Sequence, residues 1–272
     1  MELPIKAGDM EKFVAVAAGS NHLIALTTHG NLFAWGDGGQ GQLGRKIVQR
    51  RVIQGTVPTR VCLGHRSRKA VVIGAGDYTS FAVDDQGDVW GWGLDNRGQT
   101  GTGNSNPDRD LTLAGPKKVI GLSKRELNGE SVVEIAGGVH HTLFLTSGGR
   151  VFAVGSSRNG LLGLPADHPV FANPKFPGRI TTPVEVPFPN PDDPVRRIAV
   201  RERGNMAVTV GGALYAWGEG NAGQLGLGDE NRTVETPTVV MGGVGEPFAV
   251  YDVSCGDQHT LALLRNRETK EL

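Results

Sequence analysis

Short apolar runs, rich in β-branched and aromatic residues and closed by glycine, recur along this chain. One kind reads Gly30-Asn-Leu-Phe-Ala-Trp-Gly36, then Gly87-Asp-Val-Trp-Gly-Trp-Gly93, Gly149-Arg-Val-Phe-Ala-Val-Gly155 and Gly212-Ala-Leu-Tyr-Ala-Trp-Gly218. The closing glycines lie 57, 62 and 63 residues apart (93−36, 155−93, 218−155). A second kind precedes each of them: Val16-Ala-Ala-Gly19-Ser-Asn-His22-Leu-Ile-Ala-Leu26, Ile73-Gly-Ala-Gly76 through Phe81-Ala-Val83, and Ile135-Ala-Gly-Gly138-Val-His-His141-Thr-Leu-Phe-Leu145. Ile198 to Val210 carries Arg201 at the glycine position, and Val253-Ser-Cys-Gly256-Asp-Gln-His259-Thr-Leu-Ala-Leu263 has no Trp-Gly run after it. This is the pattern of strands.

Between the two kinds of run stand Thr27-Thr-His-Gly30, Asp84-Asp-Gln-Gly87 and Thr146-Ser-Gly-Gly149, which read as tight hairpin turns with glycine at a positive φ. Each unit is therefore a small antiparallel sheet that cannot bury both faces alone. A long fixed period means an array of such units, and stacking them radially predicts an all-β propeller of four-stranded blades. The expected units are 14–70, 71–131, 132–194 and 195–249, with a half unit at 250–264, all in one domain over 1–272.

Trp35-Gly-Asp-Gly-Gly-Gln-Gly-Gln-Leu-Gly44 and Trp217-Gly-Glu-Gly-Asn-Ala-Gly-Gln-Leu-Gly226, taken with the Ala-Gly-x-x-His-x-x-Ala-Leu run, resemble the repeat of the regulator of chromosome condensation family. Gln42-Leu-Gly-Arg45, Gly137-Gly-Val-His-His141 and Val253 to His259 are similar to its carboxy-terminal blades. The resemblance implies a propeller of four blades plus a partial fifth, part of a seven-bladed ring that begins upstream. It also implies exchange of guanine nucleotide on the small nuclear GTPase Ran, with a wedge from an upstream blade and docking through one rim. Chromatin binding and a nuclear location follow from the same resemblance. The alternative is an interaction scaffold without exchange activity, which leaves a cytoplasmic location open.

Composition adds limits. Glycine makes up 41 of 272 residues, an excess that tight turns explain. The formal charge is +0, so no overall field draws in nucleic acid or membrane. No apolar run approaches the roughly 18 residues of a membrane span, and Met1-Glu-Leu-Pro-Ile-Lys lacks a secretory layout. Cys62 and Cys255 read as reduced thiols, the latter packed in a small-residue position. From Gly38 to Gly76 there is no acid, while Arg45, Lys46, Arg50, Arg51, Arg60, Arg66, Arg68 and Lys69 are basic. Lys46, Arg50, Arg51 and Arg60 are the candidates for phosphate contact, against a solvated loop. Nine of the 15 prolines fall between Pro165 and Pro194, which reads as a semi-rigid excursion between blades.

Candidate chemistry is sparse. Gly36-Asp-Gly38-Gly-Gln-Gly41 matches a dinucleotide fingerprint but opens no helix. No Gly-Lys-Ser/Thr phosphate loop and no recurring triad or carboxylate pair is present, so an enzyme and a cofactor have nothing behind them. His22, His141 and His259 share one slot, three residues after the repeat glycine, with Thr79 and Gly204. They are expected inside their own blades on backbone groups, and no metal site is expected. The slot before it varies: Asn21, Tyr78, His140, Arg203, Gln258. Since strands alternate sides, these five are expected on one rim as a recognition surface. By the resemblance, His140 and Arg45 match docking positions, Asn21 replaces an acid, and Gly98 replaces a histidine.

Overall fold

The computed structural model describes residues 11–46, 55–103, 112–172, 178–228, 232–243, 245–256 and 258–267. The predicted β-propeller is what forms. The first sheet is β1 (Phe13–Ala18), β2 (His22–Thr27), β3 (Leu32–Gly36) and β4 (Thr59–Val61), paired in chain order. The second is β5 (Ala70–Ala75), β6 (Thr79–Asp84), β7 (Val89–Leu94) and β8 (Thr112–Lys118). The third is β9 (Val132–Gly137), β10 (His141–Thr146), β11 (Val151–Ser156) and β12 (Arg179–Glu185). The fourth is β13 (Val195–Arg201), β14 (Gly204–Thr209), β15 (Leu214–Gly220) and β16 (Arg232–Met241). The fifth is the hairpin β17 (Phe248–Cys255) and β18 (Thr260–Asn266). All pairings are antiparallel, and the helical turns among the described residues are two short 3-10 segments.

Both faces of each internal sheet are buried, which is why the second strands read as continuous apolar runs. In β6, Ala82 packs into a cluster with Ile24, Leu26 and Leu43 of the first unit. Its neighbours Phe81 and Val83 face the other way, into a cluster with Ile135, Phe144 and Val154 of the third. Phe81 and Phe144 meet edge to face at 5.5 Å. A third cluster joins the last three units around Trp217, Leu143 and Val250. The first strands touch in series, β1 on β5, β5 on β9, β9 on β13 and β13 on β17, so they form the inner edge of the array.

The proline-rich stretch differs from the expectation of a mere excursion, because β12 lies inside it. An outermost strand leaves one row of backbone groups unpaired, so Pro183 costs no ladder bond there. The pairing skips at this place: Ala153 faces Val184, while Gly155 faces Ile180.

Candidate functional site

The rim is built on the loop between the first and second strand of each unit. The glycine amide donates to the carbonyl three residues on, Gly19 to His22, Gly76 to Thr79, Gly138 to His141 and Gly256 to His259, at 2.9–3.0 Å. The variable residue sits inside this turn. Its carbonyl accepts from the residue after the Trp-Gly glycine: Asp37 to Asn21 (2.7 Å), Leu94 to Tyr78 (2.9 Å), Ser156 to His140 (2.8 Å) and Glu219 to Arg203 (2.8 Å). Four loops are thus held in one conformation while their side chains differ. Ser20 N–H also donates to Asp77 (3.1 Å), and Asp77 N–H to Gly138 (3.3 Å), linking the first three loops.

Asn21, Arg203 and Gln258 are exposed, and Tyr78 and His140 are half-buried. A cavity of about 520 Å³ opens among Ser20, Asp77, Tyr78, Val139, Glu202 and Cys255, so residues of all five units converge on it. Burial pushes the His140 imidazole below its ordinary value, with nearby Arg97 and Arg203 acting the same way. The ring is therefore neutral at pH 7. Arg203 pairs with Glu202 and Glu219, each at 3.4 Å.

Arg45 is not brought to this row. Its guanidinium donates to the Ala34 carbonyl at 3.0 Å, within the first sheet. Lys46 and Arg60 are exposed, whereas Arg50 and Arg51 lie outside the described residues. Part of the basic stretch is committed to structure: Arg68 pairs with Asp84 and Asp88, and Lys69 donates to Asn31 at 3.2 Å. Burial pushes the Cys255 thiol up to about 11, which keeps it protonated.

His259, in the half unit, is exposed, and the two buried histidines, His22 and His141, correct the expectation further. They do not bond backbone in their own blades; they bond the next one. His22 Nε2 donates to Ser80 Oγ at 2.8 Å, and Ser80 in turn donates to the Gln42 carbonyl at 2.9 Å. His141 Nε2 donates to Asn205 Oδ1 at 2.7 Å, and Asn205 Nδ2 donates to the Leu161 carbonyl at 3.0 Å. The last bond fixes the amide orientation and with it the histidine tautomer. Ser80 and Asn205 belong to a slot that recurs: Thr142 Oγ1 donates to the Gln99 carbonyl at 2.8 Å, and Thr260 Oγ1 to Gln224 at 3.1 Å. Each is one blade's side chain held by the preceding blade's Gly-Gln-type turn, a rule that sequence reading missed although the slot is polar in four of five units.

The degraded fourth unit also resolves. A Cβ on Gly19, Gly138 or Gly256 would run into the ring of His22, His141 or His259, under 3.0 Å away. A Cβ on Gly204 would run into the Arg201 guanidinium in the same way. Glycine and large residue have exchanged slots, so one volume is filled from the other side. Arg201 donates to the Glu219 carbonyl. The expected outcome is that Gly204→His alone destabilises the protein by about 1–3 kcal/mol through overpacking, and that adding Arg201→Gly restores part of it. Urea midpoints of the single and double variants check this; additive losses would show that the two slots do not share a volume.

The structure is thus a β-propeller that holds its variable side chains on loops of one fixed conformation. The chain belongs to the RCC1-like domain family, whose model matches residues 1–262. It is 34% identical over 251 residues to protein pim1 of Schizosaccharomyces pombe, covering 90% of this chain and 44% of that protein. It is 32% identical over 266 residues to the human regulator of chromosome condensation, covering 94% and 58%. The crystal structure of Prp20p from Saccharomyces cerevisiae, described with its binding to Gsp1p and histones, matches at a TM-score of 0.80 and 26% identity, over 95% of this chain and 57% of that one. The chain thus spans about half the length of these relatives. Among its relatives are proteins named as regulators and as a guanine nucleotide exchange factor.

Proposed function

We propose that this chain is the GTPase-docking part of a guanine nucleotide exchange factor acting on Ran in the nucleus. The observation that carries the reading is the row Asn21, Tyr78, His140 and Arg203, four unlike side chains on loops whose carbonyls are held alike. Such a row recognises a folded surface. Exchange needs no covalent step: a factor that binds the nucleotide-free GTPase more tightly must, reciprocally, weaken its nucleotide. Support also comes from the relatives, one named as an exchange factor at 28% identity over 95% of this chain. Contact with chromatin phosphates through exposed Lys46 and Arg60 is the second part of the proposal. A second reading, an interaction scaffold without exchange, is favoured by the human relative described as the probable E3 ubiquitin-protein ligase HERC6, 28% identical, of which this chain covers 23%.

The test is release of labelled nucleotide from Ran and its affinity for this chain. His140→Ala is expected to weaken binding to nucleotide-free Ran by on the order of 1–2 kcal/mol with an unchanged thermal midpoint. His141→Ala is expected to lower the midpoint, because Asn205 Oδ1 is left buried without its donor at a cost of roughly 1–3 kcal/mol. Unaltered Ran binding by His140→Ala would transfer the proposal to the scaffold reading.

A further inference from the structure

A second slot varies at the rim, on the loops that follow the third strands. These loops read Gln40-Gly-Gln42, Arg97-Gly-Gln99, Asn159-Gly-Leu161 and Ala222-Gly-Gln224. In three of them the glutamine Oε1 accepts from the backbone N–H two residues before it, from Gln40 at 2.8 Å, Arg97 at 2.8 Å and Ala222 at 2.6 Å. The residue ahead of the glycine is therefore different in each unit, while its backbone is clamped in the same way wherever the glutamine is present. That is the property already seen in the row of Asn21, Tyr78, His140 and Arg203.

Arg97 is the charged member of this second slot, and its loop is fixed against the third unit. Gln99 Nε2 donates to Asn96 Oδ1 at 3.1 Å and to the Val139 carbonyl at 3.4 Å, one residue before His140. Thr142 Oγ1 donates to the Gln99 carbonyl at 2.8 Å from the other side. Arg97 thus stands beside His140. Burial first, and then the charge of Arg97, keeps that imidazole neutral.

The acids around this place are committed elsewhere. Asp95 is buried in the same loop, and its Oδ1 accepts from the Thr100 N–H at 3.0 Å and from Thr100 Oγ1 at 2.7 Å. Glu202, which also acts on His140, lies 3.4 Å from Arg203. Glu219 is held by Arg203, Asn159 and Asn221. Among the described residues no carboxylate forms an ion pair with the Arg97 guanidinium. Arg97 is half-buried, so its charge is screened less than that of a fully solvated side chain.

Given docking of Ran at the rim, on which this rests, we propose that the slot is a second row of the same surface and that Arg97 pairs there with a carboxylate of the GTPase. A guanidinium offers a carboxylate two parallel N–H bonds, which orient the partner as well as attract it. Arg203 already has two acids and His140 is neutral, so Arg97 is the positive charge left for the partner at the junction of the second and third units. In the other units the slot offers no free charge: Gln40 and Ala222 are neutral, and Asn159 is bonded to Glu219 at 2.7 Å.

The test measures affinity for nucleotide-free Ran at low and at raised salt for the parent, Arg97→Ala and Arg97→Glu, with the thermal midpoint of each. Arg97→Ala is expected to melt with the parent, to bind about tenfold more weakly at low salt, and to depend less on salt than the parent does. Arg97→Glu is expected to lose about tenfold more than the alanine variant, because it sets like charges face to face. Binding by Arg97→Ala equal to the parent's overturns the proposal and leaves the docking of Ran in place. Equal losses in the two variants, or a salt dependence the same as the parent's, overturn it as well, since no carboxylate then meets the side chain. A lower midpoint in both variants would make Arg97 structural and has the same consequence. A parent protein that does not bind Ran overturns the docking and the pairing together.

Discussion

Replacing Gly93 by alanine is expected to cost roughly 3–5 kcal/mol, enough to unfold much of the population. Gly36, Gly93, Gly155 and Gly218 end the Trp-Gly runs with φ of 113°, 105°, 120° and 101°, a backbone that residues with a Cβ rarely adopt. Space closes the argument. A Cβ on Gly93 would come within 3.0 Å of the Tyr78 carbonyl oxygen, a backbone atom already held by Leu94 N–H at 2.9 Å. Neither partner can swing aside as a flexible side chain would, so the change strains β7 and displaces the rim loop together. Chemical denaturation of Gly93→Ala reads the loss. Gly243, where an added Cβ meets nothing within 4 Å, is the control, and its alanine variant is expected to stay within about 1 kcal/mol of the parent. Equal stability of the two variants would refute the close-approach account.

Acid is expected to weaken this protein before most of its carboxylates titrate. Burial pushes both His22 and His141 down to about 4 from an ordinary value of 6.5. Each donates through Nε2, and each Nδ1 is buried without a partner, so a proton arriving there charges a site with no acceptor. The unfolded chain takes up protons from about pH 6.5 downward, and the folded chain resists until about pH 4. The stabilisation is therefore whole above pH 6.5 and is lost as pH falls toward 4, on the order of 2–3 kcal/mol per histidine. Glu130 and Asp252 work differently. Hydrogen bonds from Thr146 and from Arg197, respectively, lead in holding them below the usual carboxylate range, so their contribution is lost only at lower pH. Burial pushes the Glu134 carboxyl up, and its protonation in the fold opposes the loss, so the window from pH 6.5 to about 5 is led by the histidines. Urea midpoints should fall across it, and the fall should shrink in His22→Gln/His141→Gln. A flat profile over that window would contradict the burial of two neutral imidazoles.

Much of this architecture was legible because its causes are local. The spacing of Gly36, Gly93, Gly155 and Gly218 marked the sheets, since each of those turns demands a residue without a Cβ. The second strands of each sheet were visible as unbroken apolar runs such as Thr-Leu-Phe-Leu145. The outer strands were harder. β4 and β12 contact only one strand of their own sheet, so their sequences are free to vary, and β12 even carries Pro183. The variable slot was expected from strand alternation, whereas the structure sets it in the turn before the second strand; Arg45 was assigned to docking on resemblance, and its guanidinium is turned onto Ala34.

By itself, the sequence determined the period, the hairpins, the all-β class and the slots in which side chains repeat or vary, because turn conformation and strand alternation depend on near neighbours. Tertiary structure alone decided what each slot touches. His141 meets Asn205, 64 residues on, and Thr142 meets Gln99, 43 residues back, only after sheets have stacked. The exchange of Arg201 and Gly204 and the placing of Arg97 beside His140 are settled in the same way: which volume is free, and which loop faces another blade, is a property of the stack and not of the strand.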